Sequence, residues 1–181
     1  RRIGALAEEA DARAELNEIS GRACGMPMAM LKTADPDALA ELLGEAQRFL
    51  AAELLAIDLQ VSRRKHTEDE LLPTVQQALS LYASLFEPDY LLPACDRASR
   101  MMEGALDVLP ADTLLSVALL EERGGQYAAA EDALFAAYAK APRLRPEAEA
   151  FYGRLFRLSD AELKAGGFSR EEIGEGLSAL K

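Results

Sequence analysis

The stretch GGQYAAAEDALFAAYAKAP, Gly124 to Pro142, decides how this chain is read. Gly125 and Tyr127 mark a tight turn. Beyond it, Ala130, Leu134 and Ala137 recur at the spacing of one helix face. The small residues at 130 and 137 let a neighbouring helix come close, and Leu134 fills the gap between them. Pro142, which cannot donate a backbone hydrogen bond, stops the helix. Upstream, Leu114, Val117 and Ala118 supply a first helix with its packing face. The span from Ala111 to Pro142 therefore predicts a helix–turn–helix unit.

Working outward, the whole chain has the composition of a helical protein. Its 181 residues are 50% hydrophobic, with no Trp. Ala and Leu dominate, and β-branched residues are scarce, a mixture that loses little on entering a helix. Neither Val/Ile/Thr alternation nor an Asn-Gly or Asp-Gly hairpin turn occurs. The expected fold is all-α, with about eight or nine helices. The 31 acidic and 20 basic side chains leave a formal charge of −11. That excess repels phosphate backbones and anionic lipid, so neither nucleic acid nor membrane is an expected partner. No apolar run approaches the roughly 20 residues that span a bilayer. With no signal peptide visible, the expected location is cytoplasmic. The two cysteines, Cys24 and Cys95, lie among small or apolar neighbours and read as buried core residues rather than a disulfide framework.

Helix punctuation is frequent. Thr67 with Glu70, Ser159 with Glu162, and Ser169 with Glu172 each have the spacing of a capping box. Leu158 with Leu163 and Phe168 with Ile173 are placed as the accompanying hydrophobic staples. Gly166-Gly167 suits a helix stop between two short C-terminal helices. Asp35-Pro36 predicts an N-cap and first turn, opening a helix with Leu39, Leu42, Leu43, Ala46, Leu50 and Leu54 on one face. Pro93 is expected to open another, with Ala94, Ala98, Met101, Ala105 and Leu109 inward. Pro146 is expected to open a third, with Ala148, Phe151, Tyr152, Leu155 and Phe156 inward. The N-terminal stretch through Ser20 is helical in pattern, and GRACGMPMAM, residues 21 to 30, breaks it. The charged segment 62–70 is the candidate linker. It separates an N-terminal helical region, 1–62, from a second, 63–181, the two expected to form one compact unit.

The span 111–142 resembles one tetratricopeptide repeat, a helical hairpin of about 34 residues. It departs from that pattern twice. Leu114 stands where a large aromatic is usual, and Glu121 where a tyrosine is usual. A degenerate second hairpin can be traced through 70–110, with its turn at Glu87-Pro88-Asp89. The resemblance therefore implies stacked, irregular helical hairpins rather than a regular array. It also implies that Asp112, Leu115, Leu119, Glu122 and Arg123 fall on the concave face, as a groove for a partner. The competing reading is that another helix of this chain, such as the C-terminal pair, covers Leu115 and Leu119. The tail FYGRLFRLSDAELKAGGFSREEIGEGLSAL resembles the C-terminal signature of a family of uncharacterised bacterial proteins. The segment CGMPMAMLKTADPDALAELLGEAQRFLAAELLAIDLQ resembles an N-terminal module of the same proteins. Membership implies a fold and no activity.

No motif supplies chemistry. His66 is the sole histidine and sits in a charged segment, without the spacing of a zinc or di-iron site. The adjacent carboxylates Glu8-Glu9, Glu121-Glu122, Glu131-Asp132 and Glu171-Glu172 point about 100° apart on a helix and read as solvated faces. The glycine pairs lack the strand–loop–helix context of a phosphate loop. Met26, Met28, Met30, Met101 and Met102 read as core filling. No catalytic residue, metal or cofactor is assigned. The expected function is a non-enzymatic interaction or scaffold protein with a protein or peptide partner, a second copy of the chain among the candidates. The rival reading is a small-molecule or peptide sensor with a pocket between the helical halves, near 62–70.

Overall fold

Gly25, at φ +72°, is where the first helix stops, a left-handed conformation that costs other residues a Cβ clash. In the computed structural model, which describes residues 2–63, 65–103 and 105–180, α1 runs from Arg2 to Cys24 and the short α2 from Met28 to Thr33. The side chains of Ser20 and Asn17 hold the corner, Ser20 donating to Met26 O at 2.6 Å and Asn17 accepting from Met28 N at 3.1 Å. Asp35 caps α3, Pro36–Leu42, by accepting from Ala38 N.

The single helix expected from Pro36 through Leu54 is two helices. Leu43 is extended (φ −102°, ψ 135°), and α4, Glu45–Ser62, starts afresh after Gly44. The Gln47 side chain accepts from Gly44 N at 3.1 Å and donates to Ala23 O at 3.1 Å, tying the new helix start to the end of α1. Leu39, Leu43 and Leu54 are buried as expected, but Leu42 is 70% exposed, and Ala46 and Leu50 face solvent. The break rotates α3 out of register with α4.

Thr67 caps α5, Glu68–Ala83, in a complete box with Glu70. The backbone N–H of Thr67 and the imidazole of His66 hold the Glu70 carboxyl below its ordinary range. Thr67→Ala should cost about 1 kcal/mol in chemical denaturation, and a loss below a few tenths would mean the cap contributes little. α6, Pro88–Met102, begins five residues before Pro93. Glu45 supplies the reason: its Oε2 accepts from Phe86 N (3.0 Å) and Glu87 N (2.7 Å), anchoring the chain just ahead of the helix.

The chain divides into two compact units, Arg1–Tyr90 and Leu91–Lys181. The first is built on α4, which buries Ala51, Leu54, Leu55 and Leu59 against α5 and α1. Tyr82 is fully buried there, donating to Glu53 Oε1 at 2.6 Å with Phe49 against its ring. The charged segment 62–70 lies inside this unit, linking α4 to α5.

The second unit is built on the α7–α8 hairpin, Ala111–Arg123 and Tyr127–Lys140. Leu114, Val117, Ala118 and Leu120 are buried on α7, and Ala130, Ala133, Leu134 and Ala137 on α8. Gly125, at φ +72°, makes the turn. α9, Arg145–Leu155, buries Ala148, Phe151, Tyr152 and Leu155. Phe156, expected inward, lies past the helix end and is 66% exposed, with the Arg170 guanidinium 5.5 Å from its ring centre.

α10, Asp160–Ala165, carries the full Ser159–Glu162 box. α11, Arg170–Ala179, is capped by the Ser169 hydroxyl accepting from Glu172 N, and among the described residues the return bond from Glu172 is not made. The backbone explains the difference: Ser169 has φ −136°, whereas the two boxed caps have −72° and −73°. Across both units the described residues form eleven α-helices, one 3-10 turn and no strand. The chain is all-α.

Candidate functional site

Helical periodicity places Leu115, Leu119 and Glu122 on one side of α7, and the structure brings these three together. They line a cleft of about 140 Å³ with Ala118 and Leu134 behind and Ala150, Phe151 and Arg154 of α9 opposite. Leu119 is 41% exposed at its edge. Glu122 and Arg154 close one rim as a fork-shaped ion pair, Nε to Oε1 at 2.5 Å and Nη2 to Oε2 at 2.7 Å. The glutamate raises the Arg154 pKa by accepting both bonds.

Asp112 and Arg123 do not line this cleft. Asp112 is exposed and pairs with Arg143 at 2.9 Å. Arg123 is half-buried, and its charge is felt by the Cys95 thiol instead. The wall facing Leu115 and Leu119 is α9. The C-terminal pair reaches α9 through α11.

A second concavity, of about 340 Å³, opens between α6, the end of α7 and the start of α8. Glu121 forms part of its lining. Reading Glu121-Glu122 as a solvated pair is wrong for the first member, which is fully buried. Its Oε1 accepts from Ser99 Oγ at 2.9 Å, while Oε2 has no hydrogen-bond partner. Cys95 stands near enough to bias the carboxyl, but its Sγ–H goes to Leu120 O at 3.6 Å. Burial raises the Glu121 pKa and Asp96 adds to the rise, against the Ser99 hydrogen bond and the nearby Cys95 thiol, which pull the other way.

Burial and the neighbouring Glu121 push the Cys95 thiol up to about 12, so it is a poor nucleophile. The turn presses on this thiol: a Cβ added to Gly124 would sit 2.4 Å from Cys95 Sγ. Sequence reasoning missed this cavity. The available signal was Glu121 itself, a carboxylate at the position where the repeat pattern puts an aromatic ring.

The remaining candidates separate. His66 is exposed and 3.3 Å from Glu70. Met26, Met28 and Met102 are buried, while Met30 is exposed and Met101 half-buried. Among the described residues no group of three or more His, Cys, Asp or Glu side chains is placed to hold a metal ion. No described helix is long and apolar enough to cross a membrane.

Compared with known proteins, the chain matches the model of DUF6483, a family of unknown function, over residues 34–181. No curated protein and no solved structure matches it. The chain belongs to the DUF6483 family.

Proposed function

We propose, with that membership as premise, that the chain is a helical interaction module that binds a protein or peptide partner and performs no reaction itself. The α7–α8 hairpin is read as a single tetratricopeptide-like unit whose inner face is the docking surface. One observation carries this reading, the α7–α9 cleft. It has an apolar floor of Leu115, Ala118, Leu134 and Phe151, an exposed Leu119 at its edge, and a charged rim at Glu122–Arg154. An apolar pocket surrounded by polar groups that exclude water is the form in which a few anchor residues carry most of a binding energy. The partner that suits it presents one aliphatic or aromatic side chain to the floor, flanked by a charged group that can join the rim pair.

The test is a comparison of baits. Wild-type chain and the Leu119→Asp variant are used for affinity capture from the organism that encodes the protein, with circular dichroism confirming that both fold. Leu119 is exposed enough for the variant to fold normally. A specific protein held by the wild type should be lost or weakened at least about tenfold by the variant, the size of a hot-spot truncation. Identical captures would remove the cleft as the docking site.

The sensor reading is favoured by a different observation, the cavity over Glu121, which lies within the second unit.

A further inference from the structure

We propose that α11 is a proton-linked latch on the second unit. It closes over the Tyr152–Glu131 hydrogen bond when Glu131 carries a proton and opens more readily when Glu131 is ionised. This goes beyond the interaction surface, because no residue of α11 lines either concavity.

Geometry supplies the linkage. The Tyr152 hydroxyl donates to Glu131 Oε1 at 2.5 Å, and a Cβ on Gly176 would stand 2.0 Å from that hydroxyl oxygen. The backbone of α11 therefore lies directly on the pair, and only a residue without a side chain permits it. Closing α11 keeps water from a half-buried carboxyl whose hydrogen-bond donor is a neutral phenol. Losing water without gaining a cation disfavours the ionised form.

The surrounding charges act in the same direction. Asp132 on α8 and Glu172 and Glu175 on α11 repel a charge on Glu131, Tyr152 of α9 donates to it, and no lysine or arginine is among the groups that act on it. Burial first, and then these three carboxylates, hold the Glu131 pKa above its ordinary 4.5, against the Tyr152 hydrogen bond. Two of the three ride on α11 itself, so lifting that helix admits water and relieves repulsion in one motion. A carboxyl that binds its proton more tightly with α11 closed than open favours closure where it is protonated. Below the ordinary value both states hold the proton and closure keeps its full advantage. As pH rises through the raised value, that advantage is lost.

The helix is also made to open. Gly174 and Gly176 both fall within its 10 residues, and glycine weakens a helix interior. Its buried positions are Ile173, Gly176 and, just past its end, Leu180. The other end is fixed. Arg170 donates to Asp160 Oδ1 and Phe156 O, each at 2.8 Å, and to Leu158 O. A firm pivot with a lightly held far end is the arrangement of an element that opens locally, ahead of the unit it belongs to.

The test is hydrogen exchange of the full chain at about pH 5 and about pH 8, read by mass and corrected for the intrinsic pH dependence of amide exchange. The quantity compared is the protection of α11 relative to α7, which reports opening of the whole unit. That ratio should be at least about fivefold higher at the lower pH, within the roughly tenfold per pH unit that one linked proton allows. Glu131→Gln keeps an oxygen to accept from Tyr152 and cannot ionise. It should remove the pH dependence and hold α11 as firmly in alkali as the wild type is held in acid. Glu175→Gln, at an exposed position, should raise the ratio at about pH 8 at least about twofold by removing one like charge. A wild-type ratio independent of pH would overturn the proposal, as would an undiminished pH dependence in folded Glu131→Gln. If Glu131→Gln does not fold, an unchanged ratio in Glu175→Gln overturns it instead.

Discussion

Gly176→Ala is expected to destabilise the second unit by about 3 kcal/mol, the upper part of the range for overpacking a closed core. A Cβ at this position would lie 2.0 Å from Tyr152 Oη and 2.2 Å from Cζ. The ring cannot step aside. Tyr152 is fully buried, in edge contact with Phe151, and its hydroxyl donates to Glu131 Oε1 at 2.5 Å. Burial, reinforced by that glutamate, drives the tyrosine pKa upward, so the phenol stays a donor at any ordinary pH. The check is urea denaturation of wild type and variant. Pairing the change with Tyr152→Leu should recover part of the loss, since the obstacle is then smaller. A cost below about 1 kcal/mol, or strict additivity in the double variant, would mean that α11 does not dock on Tyr152 as described.

Glu121→Leu is expected to act in the opposite direction, stabilising the protein on the order of 2 kcal/mol at about pH 8. Leucine removes a fully buried carboxyl whose Oε2 has no hydrogen-bond partner, leaving the Ser99 hydroxyl to find another acceptor. The pH dependence follows from the raised pKa, whose ordinary value is 4.5. A carboxyl that holds its proton more tightly folded than unfolded disfavours folding once it ionises. Below the unfolded pKa both states are protonated and the penalty is absent. As pH rises from there through the folded pKa the penalty grows, and above it the penalty is complete. The variant's advantage over wild type should therefore be largest at alkaline pH and shrink in acid, measured as the difference between paired thermal melts. An advantage independent of pH, or a loss at about pH 8, would show that the ionised carboxylate is stabilised by its surroundings.

How far the sequence could be read depended on the range of the forces involved. The caps at Thr67 and Ser159 were legible because a capping box is decided within four residues. The α7–α8 hairpin was legible for a related reason: Leu114, Val117, Ala130 and Leu134 declare two faces, and Gly125 declares the turn. The break at Leu43-Gly44 was not. The apolar period runs across it undisturbed, and what fixes the break is Gln47 reaching Ala23, a residue 24 positions earlier. Pro93 misled for the same kind of reason, since Glu45 holds the backbone that leads into α6 from 41 positions away.

The two sites divide in the same manner. The grouping of Leu115, Leu119 and Glu122 follows from helical geometry alone. Arg154, which completes their rim, lies 32 residues on and is joined only by tertiary packing. For Glu121, adjacency to Glu122 suggested a wet surface. The residues that bury it, Cys95 and Ser99, belong to an earlier helix. Only the mismatch with the repeat pattern carried a trace of it.

The two thiols give each unit its own chemical reporter. Cys24 is shut within the first unit and Cys95 within the second, and burial lifts the pKa of both. An alkylating reagent reacts with thiolate and must wait until the surrounding helices open. The labelling rate at each sulfur is therefore a clock for the opening of its own half of the chain, readable by mass without adding a probe or changing a residue.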